Sequence, residues 1–196
     1  MREDEWLQTL SRYVKPTRVL HSKGVAQTAR EMAERFGADP EKAYWAGLVH
    51  DVGKGFSPPL LLEYAVRLHL DGDPVYRQVP SLLHGPAGSL WLREEGFFSD
   101  PELLHAVYAH TIPDLPMSRL DRILFTADMI EPNRKTYPGL IELRELAAKD
   151  LDRVYFRALQ QTLSYAVSRR QLVHPGTLIA FNDELIRTKR NESEDN

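Results

Sequence analysis

Residues 39–54 read DPEKAYWAGLVHDVGK. Asp39 followed by Pro40 is a helix start: a capping acid, then a proline whose fixed φ and missing N–H suit the first helical position. Ala43, Ala46 and Gly47 then fall on one face at helical spacing, and their small size lets a neighbouring helix come close. His50 lies three residues after Gly47 and four after Ala46. Asp51 lies four after Gly47. An imidazole and a carboxylate thus occupy a face that should be buried, where an unpartnered carboxylate costs several kcal/mol or takes up a proton.

The same exception recurs along the chain. His21 stands four residues before Val25, on the stripe continued by Ala29, Met32 and Phe36. His110 closes the face of Leu103 and Val107. Asp128 lies four past Leu124 and eight past Leu120. For any one of these positions, a core histidine bonded to a backbone carbonyl, or an acid paired with Arg18, Arg119 or Arg122, is the commoner reading. Four in-phase exceptions on separate helices are harder to explain singly. Together they predict a shared cation, because neutral imidazole and carboxylate oxygen are the donor set of iron, manganese, zinc and related divalent ions.

His84 sits just before an expected helix at Pro86. Metal ligation, phosphate binding at a helix N-terminus and plain capping all remain open there. His69 ends a helix before a turn and reads as structural. His105, about 140° around the helix from His110, faces elsewhere. Asp114 and Glu131 read as exposed-loop or helix-end acids, with the alternative that Glu131, within a turn of Asp128, orients a ligand from behind.

Helical periodicity dominates the rest of the chain. Trp6, Leu10 and Tyr13 share a face, and Val154, Ala158 and Val167, widened by Leu159, Leu163 and Ala166, mark a long late helix. Ser99–Glu102 and Ser118–Asp121 carry helix-start signatures. Asp71–Pro74 and His174–Gly176 read as turns. No β-branched alternation or hairpin dipeptide appears. The expectation is an all-α bundle of about eight to ten helices in a single domain spanning residues 1–196, with a core from about 18 to 182 and a frayed tail at 190–196.

Composition excludes whole classes. The 196 residues contain no cysteine, so thiolate metal sites, iron–sulfur clusters and disulfides are out. A net charge of -3 and a pI near 6.2 provide no basic field for a nucleic-acid polymer. Mean hydropathy is -0.41, and charged or polar residues interrupt every long stretch, which predicts no membrane span. MREDEWLQTL lacks a signal peptide's apolar core, so the expected location is cytoplasmic.

The segments HSKGVAQTAREMAERFG, AGLVHDVGK, LLHGPAG and AHTIPDLPMSRLDRILFTADMIEPNR, in that order, resemble the HD-domain metallophosphohydrolases. Within them the similarity is to the bacterial YqeK-type group, symmetrical bis(5'-nucleosyl)-tetraphosphatases. It runs from about Arg18 to Asn182. The resemblance implies an all-α HD fold and a centre of one or two divalent ions, iron by preference, with Mn, Zn, Co or Mg as alternatives. By position, His21, His50, Asp51 and Asp128 are the implied ligands, with Asp51 bridging if two ions bind. His84 and His110 match positions for a second metal or for phosphate. Lys54, Thr111 and Arg134 match nucleotide-phosphate positions, and His174 and Thr177 match an element near the nucleoside. Asp51 and Lys54 are the implied catalytic residues.

The implied reaction is hydrolysis of diadenosine tetraphosphate to two ADP by metal-activated water. A small nucleotide is the expected partner, with no polymer or membrane, and with a homodimer open. Two rivals stand beside this reading. One is another HD nucleotide hydrolase acting on nucleotides, dNTPs or alarmones. The other is a non-catalytic nucleotide-binding regulatory module.

Overall fold

The computed structural model describes residues 2–194, with side chains to residue 189. Among them there are eleven α-helices and no strand. They are α1 Glu3–Tyr13, α2 Pro16–Phe36, α3 Pro40–Val49, α4 Pro58–Arg67, α5 Pro74–Gln78, α6 His84–Glu94, α7 Pro101–Ala109, α8 Arg119–Ile130, α9 Leu140–Ala147, α10 Leu151–Ser168 and α11 Pro175–Glu194. Two short 3-10 turns, Val52–Gly55 and Pro80–Leu83, precede α4 and α6.

The starts follow the local chemistry. The Asp39 carboxylate accepts from the N–H groups of Glu41 and Lys42, Asp100 does the same for Glu102 and Leu103, and Ser118 with Asp121 forms a reciprocal capping box. Asp73–Pro74, expected to belong to a turn, has the same form as Asp39–Pro40 and opens α5; this short helix raises the count above ten. The tail differs as well, because α11 continues through Glu194 rather than fraying from 190. The side chains of 190–194, and residues 195–196, lie outside the described residues.

The core is built on α2, α3, α7 and α8. α2 packs against α3 and α8, α7 packs against α6, α3 and α8, and α10 backs α8. The α2–α3 contact is close because position 47 has no side chain: a Cβ there would stand 2.6 Å from the Ala26 Cα. Trp6, Leu10, Val25, Ala29, Met32, Val107, Leu124, Val154 and Ala158 are buried as the stripes require. Val167, assigned to the buried stripe of α10, is exposed, because the last turns of that helix project beyond its neighbours. No helix of the described residues is long and apolar enough to cross a membrane.

Candidate metal centre

Four histidines converge, and each is aimed by a bond on its far nitrogen. His50 follows the last residue of α3 and donates from Nδ1 to the Gly47 carbonyl at 2.7 Å. His84 opens α6 and donates to Ser81 O at 2.7 Å. His110 follows α7 and donates to Val107 O at 2.6 Å. His21, in α2, donates to the Glu131 carboxylate at 3.1 Å. A proton fixed on Nδ1 leaves Nε2 as the lone-pair nitrogen that a cation requires. The rings pack edge to face, with centroids 5.3 Å apart for His21 and His50, 4.9 Å for His50 and His110, and 4.8 Å for His84 and His110.

Asp51 lies in the middle, on the residue between α3 and the first 3-10 turn. Its Oδ2 is 3.6 Å from His21 Nε2 and 3.4 Å from His50 Nε2. Its Oδ1 is 3.2 Å from His84 Nε2 and 3.7 Å from His110 Nε2. One carboxylate therefore faces two histidine pairs, one with each oxygen. Asp128 adds an oxygen 2.9 Å from His21 Nε2 and 3.7 Å from His50 Nε2. These groups form two potential cation sites that share Asp51: His21, His50 and Asp51, and Asp51, His84 and His110.

The residues fit a divalent metal by their unmet valence. His21 Nε2 and His50 Nε2 are buried without a hydrogen-bond partner, since the short approach of Asp128 to His21 lies off the hydrogen-bonding angle. His84 Nε2 and His110 Nε2 stand 2.9 Å apart, a lone-pair conflict unless a proton or cation lies between them. Burial pushes the His50 imidazolium down, but Asp51 and Asp128 outweigh it and raise its pKa to about 10. Burial lowers His84 to about 4, which leaves it neutral at pH 7. Burial disfavours the charged forms of Asp51 and Asp128, yet the facing imidazoles hold both well below the usual carboxylate range. A cation held by the same acids would compete with the His50 proton, so binding should release protons.

A cavity of about 300 Å³ opens onto this cluster. Lys54, Thr111 and Arg134 line it, as do Asp51, His84, His110 and Asp128. Lys54 does not sit on a continuation of α3, which ends at Val49. It comes from the Val52–Gly55 turn, whose Gly53 lies so close to α6 that a Cβ would be 2.1 Å from His84 O. The Lys54 side chain is exposed to the cavity, and its confinement there lowers the ammonium pKa, with Asp51 opposing. Thr111 Oγ1 is 2.9 Å from His84 Nε2 and 3.1 Å from His110 Nε2. Arg134 donates to the Asp128 carboxylate at 2.5 Å and to its backbone carbonyl at 2.7 Å.

His174 and Thr177 are not among the residues lining the cavity; His174 stands 3.2 Å from Asp73 and against the Tyr76 ring, and the nucleoside contact of this element stays a proposal. Glu131 is a helix-end acid, the residue that closes α8; it is buried and accepts from Asn133 N as well as from His21, which is the orienting alternative. Arg18, considered only as a counter-charge, lines the cavity and donates to Asp51 Oδ2 at 2.7 Å. Its place three residues before His21, on the first turn of α2, was the available signal.

The comparisons with known proteins agree with this geometry. The family model described as HD domain matches residues 18–133, which carry all six cluster residues. A Bacillus subtilis (strain 168) protein named bis(5'-nucleosyl)-tetraphosphatase, symmetrical, is 32% identical over 182 residues, covering 93% of this chain and 97% of that protein. A Halalkalibacterium halodurans protein of the same name is 33% identical over 189 residues, covering 96% and 100%. The crystal structure of a Clostridium acetobutylicum protein, described as a predicted HD superfamily hydrolase involved in NAD metabolism, superposes with a TM-score of 0.89 at 30% identity, covering 95% and 98%. The helical frame, the paired histidines around Asp51 and these relatives agree: the chain belongs to the HD-domain family.

Proposed function

We propose that the protein hydrolyses dinucleoside tetraphosphates, diadenosine tetraphosphate first among them, symmetrically to two nucleoside diphosphates. The observation that carries this reading is the double-faced position of Asp51, between two histidine pairs and at the floor of a cavity walled by arginine, lysine and threonine. His21, His50, Asp51 and Asp128 would hold one divalent ion, and Asp51, His84 and His110 a second. Iron is the metal we assign, with Mn, Zn, Co and Mg as the comparisons to test. When bound, such an ion supplies water of pKa near about 7 and counters the charge on the phosphoryl oxygens.

The chain's own groups do the rest. Asp51 sets the spacing of the two ligand groups. Lys54 meets a phosphate as a point charge, and its lowered affinity for a proton leaves it a better donor to a phosphate oxygen. Arg134 offers a planar fork to phosphate oxygens and steadies the leaving diphosphate, while Thr111 donates its hydroxyl beside His84 and His110. Phe125 and Met129, at the apolar side of the cavity, receive the nucleoside. Water attacks a central phosphorus, and the bond from that phosphorus to the central bridging oxygen breaks. The water oxygen ends on one diphosphate and the bridging oxygen on the other, and the two water protons leave to solvent as both new phosphate ends ionise. A nucleotide substrate suits a cytoplasmic enzyme.

The test is anaerobic purification, metal analysis and product identification with diadenosine tetraphosphate. ADP as the sole product is expected. AMP with ATP, or tight binding without turnover, would replace this reading with an asymmetrical hydrolase or a regulatory module.

A further inference from the structure

A second cavity, of about 480 Å³, is larger than the one at the metal centre and shares no lining residue with it. Ligand sites for small molecules run from roughly 300 to 1,000 Å³ and combine an apolar floor with a few placed polar groups. This cavity follows the hairpin of α6 and α7. The two helices run antiparallel: Gly85 lies against the Val107 and Tyr108 carbonyls, and Ser89 donates to Leu104 O at 2.7 Å. Leu90 and Leu104, both buried, supply the floor. Pro86 and Arg93, seven residues apart on α6, both line it, so the groove is about 10 Å long.

Its two ends carry opposite charge. At one end, Arg93 makes no hydrogen bond, ion pair or ring contact among the described residues, and the neighbouring Glu94 is taken by Arg67. All five N–H donors of that guanidinium are open to a phosphate. Ser99, also without a partner, stands at the same end. Toward the Pro86 end are Tyr108 and, beyond the close of α7, Asp114. Asp121 holds His105 Nδ1 at 2.9 Å, whereas Asp114 stands 3.5 Å from Nε2, too far to occupy its carboxylate. Asp114 thus keeps lone pairs for a ligand. The rings of His105 and Tyr108 lie nearly parallel, 16° apart, which suits a planar group beside them.

We infer that the α6–α7 groove is a second ligand site, for a purine nucleoside monophosphate, with its phosphate on Arg93 and Ser99 and the far edge of its base on Asp114. The length of the groove matches such a nucleotide from phosphate to base edge. A single unpaired arginine suits one phosphate, and a longer polyphosphate would bring further negative charge toward Asp114. A carboxylate only accepts, so it selects a base edge that only donates. Guanine presents two adjacent donors there, N1–H and the 2-amino group. Adenine sets its N1 lone pair beside its amino group, against the carboxylate. The ligand class is therefore that of guanosine monophosphate. The site is separate from the metal centre, and its assignment does not depend on the hydrolase reading.

The test is calorimetric titration of the metal-loaded full-length protein with GMP, which has no phosphoanhydride to cleave. Lys54→Ala removes the nucleotide contact at the metal centre, and Arg93→Glu reverses the charge in the groove. Arg93 is exposed and touches nothing, so its replacement leaves the fold intact. A GMP site that persists in Lys54→Ala and is weakened about tenfold or more by Arg93→Glu is expected. AMP and IMP should bind that site about tenfold more weakly than GMP, since neither offers two adjacent donors to Asp114. GMP binding that is unchanged in Arg93→Glu, or that vanishes with Lys54→Ala alone, would overturn the inference. So would inorganic phosphate binding as tightly as GMP, or AMP binding as tightly as GMP. No turnover enters the measurement, so failure of the ADP assay strikes the hydrolase reading and leaves this one standing.

Discussion

Helix α7 and the residue that follows it carry two histidine–aspartate clusters within six residues, and they are built on opposite plans. His105 has carboxylates at both ring nitrogens: Asp121 at 2.9 Å from Nδ1 and Asp114 at 3.5 Å from Nε2. His110 has a backbone carbonyl at Nδ1 and directs Nε2 at Asp51 and two further imidazoles. In the first cluster, one proton on each nitrogen satisfies the ring, and the group ties the Thr111–Asp114 segment to the start of α8. In the second, the inward nitrogens face one another with too few protons to pair them. A histidine beside an aspartate is thus a weak sign of a metal. Several rings with their outer nitrogens occupied and their inner ones convergent are a strong sign.

The largest effect should come from removing a shared ligand. His50→Ala or Asp51→Ala is expected to bring turnover to background and strip bound metal, read by metal analysis beside a nucleotide assay. If metal and rate both survive in either variant, the two clusters do not differ in kind. Chelation of the wild-type protein should abolish activity and lower the melting temperature. A ligand present at 100 times its Kd stabilises the folded state by about 2.7 kcal/mol. The same chelator should leave the contribution of His105 untouched. His84→Ala sharpens the contrast within the centre: it should cost one of two ions while the His21–His50 side retains its own, visible as a change in metal stoichiometry. Glu131→Gln keeps the shape but weakens the grip on His21 Nδ1, and a loss of about 10- to 100-fold in metal affinity or rate is expected.

The smallest effect belongs to His105. Its two acids, opposed by partial burial, raise its pKa above the ordinary 6.5. The sign follows: a raised folded-state pKa stabilises fully below the unfolded value and loses that contribution as pH climbs through the folded one. The melting temperature of wild type should exceed that of His105→Gln most clearly below pH 6.5, with the gap closing at alkaline pH, while activity stays within about twofold. A gap that grows with pH would contradict the ion-pair account.

The ordinary reading of these histidines, bonding to a backbone carbonyl, is correct for His50 and His110, and His84 makes such a bond too; it still does not compete with ligation, because an imidazole has two nitrogens. Sequence spacing showed that the rings turn inward. It could not show which nitrogen did what. Asp73–Pro74 was misread because a capping acid followed by proline also suits a turn, and only the contacts of α5 separate the two. Glu131 was legible as a helix-end acid, but its burial was not, because His21 and Asn133, which close over the carboxylate, come together only in the packed molecule.

Local rules, acting over one or two helical turns, were enough to establish the all-α class, most helix starts, and the positions where polar groups interrupt apolar faces. Periodicity and capping depend on neighbours in the chain, so they are written there. The meeting of Arg18 with Asp51, 33 residues apart, and of His21 with Glu131, 110 apart, belongs to the packed molecule. So do the two-sided exposure of Asp51 to four imidazoles and the outward course of Val167. Such contacts depend on where whole helices come to rest against one another, and burial of apolar area, which governs that, is blind to which polar atoms it brings together.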